Sequence, residues 1–259
     1  MRKNLYRLLG LAFLLTFVST QFAIGQVKDD LQAALDNIVQ TKADEVTVVD
    51  LSQYSALERS RPLYVRGGVN LRFTNGTISR TTSLTDSATV VIQDGSSLDL
   101  GDKSVISGGG FIANHEVILV EDGNLKVSSG TIQDLRNEST YTTDRVFQPS
   151  DWGVLMLSSK CSFEMTGGLI SGGNPIKNNG GRLTLSGGNI TGWIETDVDI
   201  IIYGSFNGED SFITLLGSSK MIIKSSLQYH LYIALEEYNP MFGQTTKVTD
   251  GRIIAEGSG

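Results

Sequence analysis

The chain of 259 residues is short of cysteine and proline. It has one cysteine, Cys161, so no internal disulfide can form. Only four prolines stand beside 29 glycines, and no stretch is of low complexity. Plentiful glycine with scarce proline indicates many tight turns between paired strands rather than disorder. Cys161 alternates with Phe163 and Met165, which predicts that it is a buried apolar residue.

Basic residues are also scarce, at 21 against 28 acidic residues. Three of them, Arg2, Lys3 and Arg7, lie at the N-terminus, so the rest of the chain carries 18 basic and 28 acidic side chains. Phosphates of nucleic acids and anionic membranes need Lys and Arg to neutralise them, and we expect no nucleic-acid partner. Phosphate-loop, zinc-site and Ser-His-Asp motifs are missing too, so we expect no cofactor and no metal.

Residues 1–25 have the layout of a secretory signal peptide. Three basic residues precede an apolar run at residues 8–18, and the small residues Ala23 and Gly25 follow. The apolar run is too short for a comfortable transmembrane span, although an uncleaved anchor is the alternative. We expect cleavage before Gln26, no membrane insertion afterwards, and a secreted, periplasmic or cell-surface protein.

One seven-residue motif recurs along the chain: apolar, Ser or Thr, any residue, Gly, any residue, Ile, polar. Its copies contain Ile78, Ile132, Ile170, Ile190 and, more loosely, Ile112. The steps from Ile112 to Ile132 and from Ile170 to Ile190 are both 20 residues. The other two steps, of 34 and 38 residues, are interpreted as the same step with extra residues.

Apolar and polar residues alternate around the motif. The alternating apolar pairs are Leu71 and Phe73, Leu98 and Leu100, Leu125 and Val127, Phe163 and Met165, and Leu183 and Leu185. A period of two predicts short strands with one buried face. Short strands, Gly and Asn turns and a repeat near 20 residues predict an all-β fold, a single right-handed parallel β-helix over residues 46–259.

Two other architectures fit the repeat less well. A leucine-rich horseshoe needs a fixed Leu-x-x-Leu-x-Leu frame, which the sequence does not contain. An antiparallel sandwich gives no reason for Gly-x-Ile to recur at a fixed interval.

The two ends of the predicted stack differ. Residues 26–45 carry an apolar stripe at Val27, Leu31, Leu35 and Ile38, which predicts a short α-helix that caps the open first coil. Residues 227–237 and 248–255 read as strands with no evident cap after them. Either the last strands fold over this end, or the chain is a fragment of a longer protein.

The segment LQAALDNI at residues 31–38, followed by VTVVDL at 46–51, resembles the opening of β-helix proteins of the pectate-lyase-like superfamily. The recurrent Ser-Gly-Gly-x-Ile-x-Gly resembles secreted β-helix proteins of the Bacteroidetes group. The resemblance spans most of residues 27–225. It implies the β-helix fold, in a superfamily that contains lyases, hydrolases, tailspike glycosidases and adhesins, so the fold alone implies no activity.

Catalytic residues cannot be assigned from the sequence. The resemblance implies that a hydrolase would have clustered aspartates and Gly-His-Gly, but neither His115 nor His230 is flanked by glycine. A lyase would need an acidic calcium-binding cluster. Asp94, Asp99 and Asp102 could gather on adjacent strands for this purpose, but we interpret them as polar turn residues.

The insertion at residues 136–153 is the predicted ligand-binding region, because it is polar, lacks alternation and interrupts the repeat. Its aromatic and charged side chains form the candidate site: Tyr141, Asp144, Arg145, Phe147 and Trp152. Aromatic faces with nearby hydrogen-bonding charges suit sugar rings. The alternative is that Phe147 and Trp152 pin the loop to the side of the stack.

Regular repeats without an acid–base cluster favour a non-catalytic secreted or cell-surface β-helix that is adhesin-like and binds polysaccharide or host cell-surface glycan. The alternatives are a polysaccharide lyase or glycoside hydrolase of the pectate-lyase-like type, and a structural stalk of a longer surface protein. A further expectation concerns Ser87. The triplet Asp86-Ser87-Ala88 resembles the O-glycosylation pattern of Bacteroidetes proteins.

Overall fold

Short strands of each coil pair in parallel with those of the coils before and after, and together they form a parallel β-helix. In this computed structural model the described residues are 31–40, 42, 44–55, 57–81, 84, 88–108, 116–134, 153–172, 175–208, 211–227, 231–234, 236–239, 244–247 and 253–256. The predicted fold class is confirmed. Adjacent coils lie about 4.8 Å apart, as neighbouring strands of a sheet do.

The chain forms one helix, one 3-10 turn and the following strands within the described residues. The elements are α1 (Leu31–Asp36), β1 (Thr47–Asp50), η1 (Leu51–Gln53), β2 (Glu58–Arg59), β3 (Leu63–Val65), β4 (Asn70–Thr74), β5 (Gly76–Arg80), β6 (Val90–Ile92), β7 (Ser96–Leu100), β8 (Ser104–Gly108), β9 (Ile118–Val120), β10 (Gly123–Val127), β11 (Thr131–Asp134), β12 (Val154–Met156), β13 (Ser162–Ser171), β14 (Ile176–Asn178), β15 (Arg182–Thr196), β16 (Ile200–Ile202), β17 (Ser211–Leu215), β18 (Met221–Ile223), β19 (Tyr232–Ala234), β20 (Glu236–Asn239), β21 (Gln244–Lys247) and β22 (Ile253–Ala255).

These strands build three faces. Face A contains β1, β4, β7, β10, the start of β13, the start of β15, β16, β18 and β22. Face B contains β2, β5, β8, β11 and the later parts of β13 and β15. Face C contains β3, β6, β9, β12, β14, the end of β15, β17 and β19. β20 and β21 form a separate antiparallel hairpin.

The predicted alternating pairs form two inward columns on face A. The first column stacks Leu71, Leu98, Leu125, Phe163, Leu183, Ile200 and Met221, and the second stacks Phe73, Leu100, Val127, Met165, Leu185, Ile202 and Ile223. All but Ile223 are at most 1% exposed. Burial of one such side chain contributes about 1.5–3 kcal/mol. Cys161 is also buried, as predicted.

Face B carries the isoleucine column, with one correction to the predicted repeat. The stacked residues are Ile78, Ile106, Ile132, Ile170 and Ile190. Ile106, and not the predicted Ile112, which lies outside the described residues, occupies the position between Ile78 and Ile132. The predicted steps of 34 and 20 residues are therefore wrong, and the two steps are 28 and 26 residues. The corner from Leu100 to Ile106 is one residue longer than the others and holds Lys103 at φ 56°. The motif is therefore not visible there in the sequence.

Glycine precedes the column isoleucines for two different reasons. Gly188 lies at φ +82°, in the left-handed region that residues with a side chain rarely adopt. Gly130 lies outside that region, but a Cβ atom there would come within 2.6 Å of Ser104 Oγ and 2.7 Å of Leu100 Cβ. At Gly130 the close approach of the coils excludes a side chain.

A short helix lies against the first coil. α1 buries Leu31 and Leu35, and Ile38 packs against the same core. These are three of the four residues of the predicted apolar stripe. The fourth, Val27, lies outside the described residues. The described part of the helix is therefore a cap, as the stripe predicts.

One inward column of face C contains two polar residues. Asn178 and Thr196 stack between Met156 and Leu215 and are 1% and 0% exposed. Asn178 Nδ2 donates to Gly181 O at 2.7 Å and to Thr196 Oγ1 at 3.1 Å, and Asn178 Oδ1 accepts from Gly181 N at 2.8 Å. A buried amide with these partners fixes the turn that leads from face C to face A.

The ends of the chain are described in part. Residues 1–25 lie outside the described residues, so the signal peptide stays a prediction. In the part of the chain that the structure covers, no helix has the length and apolar character needed to cross a membrane. β19 and β22 fall within the predicted C-terminal strand segments, and each pairs in parallel with an earlier strand of the stack.

Candidate functional site

Outward side chains on face A form a row of alternating charges. Arg72, Asp99, Lys126 and Glu164 occupy the same position on β4, β7, β10 and β13. Arg72 Nη2 lies 2.8 Å from Asp99 Oδ2, and Lys126 Nζ lies 3.2 Å from Glu164 Oε2. An exposed pair such as Lys126–Glu164 is worth about 0.2–1 kcal/mol. The row therefore orients these side chains more than it stabilises the fold.

A second outward row, two residues earlier on the same strands, is polar. It runs through Ser97, Asn124, Ser162 and Arg182. Asn124 Nδ2 donates to Ser97 Oγ at 3.0 Å, and Ser162 Oγ donates to Asn124 Oδ1 at 2.6 Å. The hydrogen-bonded row ends at the exposed guanidinium of Arg182, which stands on β15 beside Ser162.

The two rows end in an open groove of about 340 Å³ on the surface of face A. Its lining residues are Ser162, Phe163, Glu164, Arg182, Thr184, Ser186 and Tyr203. The volume is at the lower end of the range of small-molecule sites. We call this surface the face A groove.

The groove exists because short side chains follow long ones along the stack. Thr184 pairs in register with Glu164, and Ser186 follows two residues later on β15. Tyr203 is held beside Ser186, since the Tyr203 backbone N–H donates to Leu185 O at 2.8 Å. Glu164, Arg182 and Tyr203 therefore stand around a floor that contains two small hydroxyl residues.

The groove presents an aromatic ring among hydrogen-bonding groups. Tyr203 is 39% exposed, although it is a large aromatic residue. Glu164 supplies a carboxylate that already accepts from Lys126. Within the residues that the structure describes, the Arg182 guanidinium forms no ion pair. Ser186 Oγ donates to Met165 O at 3.1 Å, which leaves its oxygen able to accept.

The ligand-binding residues predicted from the sequence lie outside the described residues. They are Tyr141, Asp144, Arg145, Phe147 and Trp152, all between β11 and β12. Ser87, the predicted glycosylation site, is also outside, as are His115 and His230. The roles of the insertion and of Ser87 therefore stay predictions.

The three aspartates considered for calcium have separate environments. Asp94 lies in a turn at φ 57°, and Asp102 accepts from Ser129 Oγ at 2.6 Å in another turn. The interpretation of Asp99 as a turn residue is wrong, because Asp99 lies in β7, where it pairs with Arg72. Across the described ranges, no three His, Cys, Asp or Glu side chains are grouped as a metal site would require.

A row of aromatic residues lies on the outside of face C. Trp193, Phe212 and Tyr232 are in register on β15, β17 and β19. The rings of Phe212 and Tyr232 are 5.5 Å apart, and both side chains are more than half exposed. Trp193 is half-buried and its Nε1 donates to Thr214 Oγ1 at 2.8 Å, in line with a packing role.

The groove residues were missed in the sequence because they share a surface only through strand register. Glu164 and Thr184 are 20 residues apart and belong to no sequence motif. The signal was nevertheless present, since alignment of Phe163 with Leu183 places Glu164 next to Thr184. Reading the outward positions of the aligned repeats would have found the groove.

No protein-family model, curated protein or solved structure matches this chain. The resemblance to the pectate-lyase-like superfamily and to Bacteroidetes proteins therefore stays a prediction. Any functional inference must come from the groove itself.

Proposed function

We propose that the protein is a non-catalytic, secreted or cell-surface glycan-binding β-helix that holds its ligand in the face A groove. The observation that carries the proposal is the composition of the groove. It combines one exposed aromatic ring with three hydroxyl side chains, one guanidinium and one carboxylate. Such a surface offers an apolar contact for the face of a sugar ring and both donors and acceptors for its hydroxyl groups.

Tyr203 supplies the apolar contact. Its exposed ring stands beside Ser186, whose hydroxyl oxygen can accept from a sugar hydroxyl. Arg182, at the end of the polar row, can donate hydrogen bonds to the sugar, and Glu164, in the charged row, can accept them. These residues stand on strands whose register is set before the ligand arrives, so the backbone need not rearrange on binding, and this lowers the ordering cost.

The same groove favours binding over glycoside hydrolysis. Hydrolysis needs two carboxyl groups placed about 5–10 Å apart across the scissile bond. Among the described lining residues, Glu164 is the one carboxylate, and it forms an ion pair with Lys126. A lyase or hydrolase of the pectate-lyase-like type is the competing function, and the predicted insertion at residues 136–153 is where its further groups would lie.

A glycan-array screen of the purified protein tests the proposal. We expect binding to at least one glycan class, and loss of about tenfold or more in affinity for Tyr203→Ala and for Arg182→Ala. Tyr232→Ala is the matched control, because it removes an exposed tyrosine from face C. No binding by the wild-type protein, or equal losses in Tyr203→Ala and Tyr232→Ala, would contradict the assignment to this groove.

A further inference from the structure

Lys126 stands between two carboxylates on the outer surface of face A. It lies in register with Asp99 of β7 on one side and with Glu164 of β13 on the other. Neighbouring strands are about 4.8 Å apart, so the flexible four-carbon stem of a lysine can reach either partner. Its ammonium is bound to Glu164 Oε2 at 3.2 Å.

Asp99 has one carboxylate oxygen that is not satisfied. Its Oδ2 accepts from Arg72 Nε at 2.8 Å. Its Oδ1 is buried and has no hydrogen-bond partner among the described residues. A buried acceptor without a partner is unfavourable, and the nearest cation on the following strand is that of Lys126.

We infer that Lys126 is shared between Asp99 and Glu164 and that it controls how freely Glu164 can bind a ligand in the face A groove. This inference rests on the proposed function of that groove. When a sugar hydroxyl donates to Glu164, the ammonium of Lys126 moves one strand back to Asp99 Oδ1. The move costs little, because Lys126 and Glu164 are 41% and 49% exposed, so their ion pair contributes little, and Asp99 Oδ1 gains the partner that it lacks.

Lys126 is then a positioning residue, and Asp99 affects binding although it does not line the groove. Loss of the Asp99 charge leaves Lys126 paired with Glu164 all the time. A ligand that binds Glu164 must then break this ion pair with no compensating partner for Lys126. Loss of the Arg72 charge has the opposite effect, because Asp99 then attracts Lys126 more strongly and Glu164 is released. If Asp99 and Arg72 acted only through folding, loss of either charge would change the glycan affinity in the same direction.

The test compares glycan affinities of variants in the row. We expect Asp99→Asn to weaken binding by about two- to fivefold and Arg72→Met to strengthen it by about twofold, with unchanged thermal unfolding midpoints as the control for folding. In a Lys126→Met background, Asp99→Asn should no longer change the affinity. The inference would be overturned if Asp99→Asn and Arg72→Met changed the glycan affinity in the same direction. It would also be overturned if Asp99→Asn had its full effect in the Lys126→Met background.

A ligand-free measurement separates this inference from the proposed function. The Asp99 carboxyl carbon is followed by nuclear magnetic resonance in the wild type, in Glu164→Gln and in Thr184→Val. We expect its signal to shift in Glu164→Gln, where Lys126 loses its charged partner, and to stay in place in Thr184→Val. If the shift occurs but no glycan binds, only the proposed function fails. If Asp99 does not respond, the sharing of Lys126 is wrong whatever binds.

Discussion

The side-chain amide of Gln32 forms both hydrogen bonds that a neighbouring strand would form with Tyr64. Tyr64 N donates to Gln32 Oε1 at 2.7 Å, and Gln32 Nε2 donates to Tyr64 O at 3.1 Å. Gln40 makes the same pair of bonds with Asn70, at 2.7 and 2.6 Å. Gln32 thus covers the open edge of β3, the first strand of face C, and Gln40 continues the pairing of β4 just before β1 begins at Thr47; both positions would otherwise attract another strand.

We expect Gln32→Leu to lower the free energy of unfolding by about 1–3 kcal/mol, because the polar backbone of Tyr64 loses its partners. The double variant with Gln40→Leu should in addition self-associate through the uncovered edge. Urea unfolding and sedimentation velocity measure the two effects. Gln53→Leu is the control, since Gln53 is exposed on η1. A double variant that stays monomeric with wild-type stability would show that the amides do not protect the edge.

Close contact between coils predicts the cost of adding a methyl group at Gly187. A Cβ atom there would lie 2.4 Å from Thr166 O, which belongs to the backbone of the preceding coil. We expect Gly187→Ala to destabilise the protein by about 2 kcal/mol or more, as overpacking does.

Gly67→Ala is the comparison for Gly187→Ala. A methyl group added at Gly67 would meet no atom within 4 Å, but the residue lies at φ +81°, so the cost of about 1 kcal/mol is conformational. Chemical denaturation of both variants measures the difference. A smaller loss at Gly187 than at Gly67 would contradict the close approach of the coils.

The contribution of the N-terminal cap to stability depends on pH through the ion pair between Asp36 and Arg66. Arg66 donates to Asp36 through Nε at 3.1 Å and Nη2 at 3.0 Å, and this hydrogen bonding lowers the pKa of Asp36 below its usual value. A lowered carboxyl pKa stabilises the fold above about pH 4, and this contribution is lost as pH falls through the lowered value. The pair is partly exposed, so we expect less than about 1 kcal/mol.

The stability difference between the wild type and Asp36→Asn measures this contribution. It should be constant near neutral pH and shrink as the pH falls below about 4. A difference that stays the same down to about pH 2 would show that Arg66 does not hold Asp36 in its charged form.

The sequence predicts most of the interior and little of the face A groove. Leu98 and Leu100 fall in the inward columns because burial imposes a period of two that residue type reveals. Ile106 was missed because Lys103 and one extra residue hide the corner motif. The groove was missed because its positions outside the core accept any residue type, and only the register of β13 and β15 brings them together.

The insertion carries its own prediction. If its aromatic residues contribute to the ligand site, Tyr141→Ala and Trp152→Ala should each weaken glycan binding without changing the thermal unfolding midpoint. Leu157→Ala removes an exposed apolar residue just after β12 and is the control. Unchanged glycan affinity in both loop variants would show that these two residues do not contribute to the ligand site.

The most direct test of non-catalytic binding in the face A groove is a co-sedimentation assay with a polysaccharide found on the array. The bound fraction and the soluble oligosaccharide released are measured together, with and without calcium, for the wild type and for Tyr203→Ala. We predict wild-type binding without product release and loss of binding in Tyr203→Ala. Release of oligosaccharide by the wild type, or undiminished binding by Tyr203→Ala, would contradict the account.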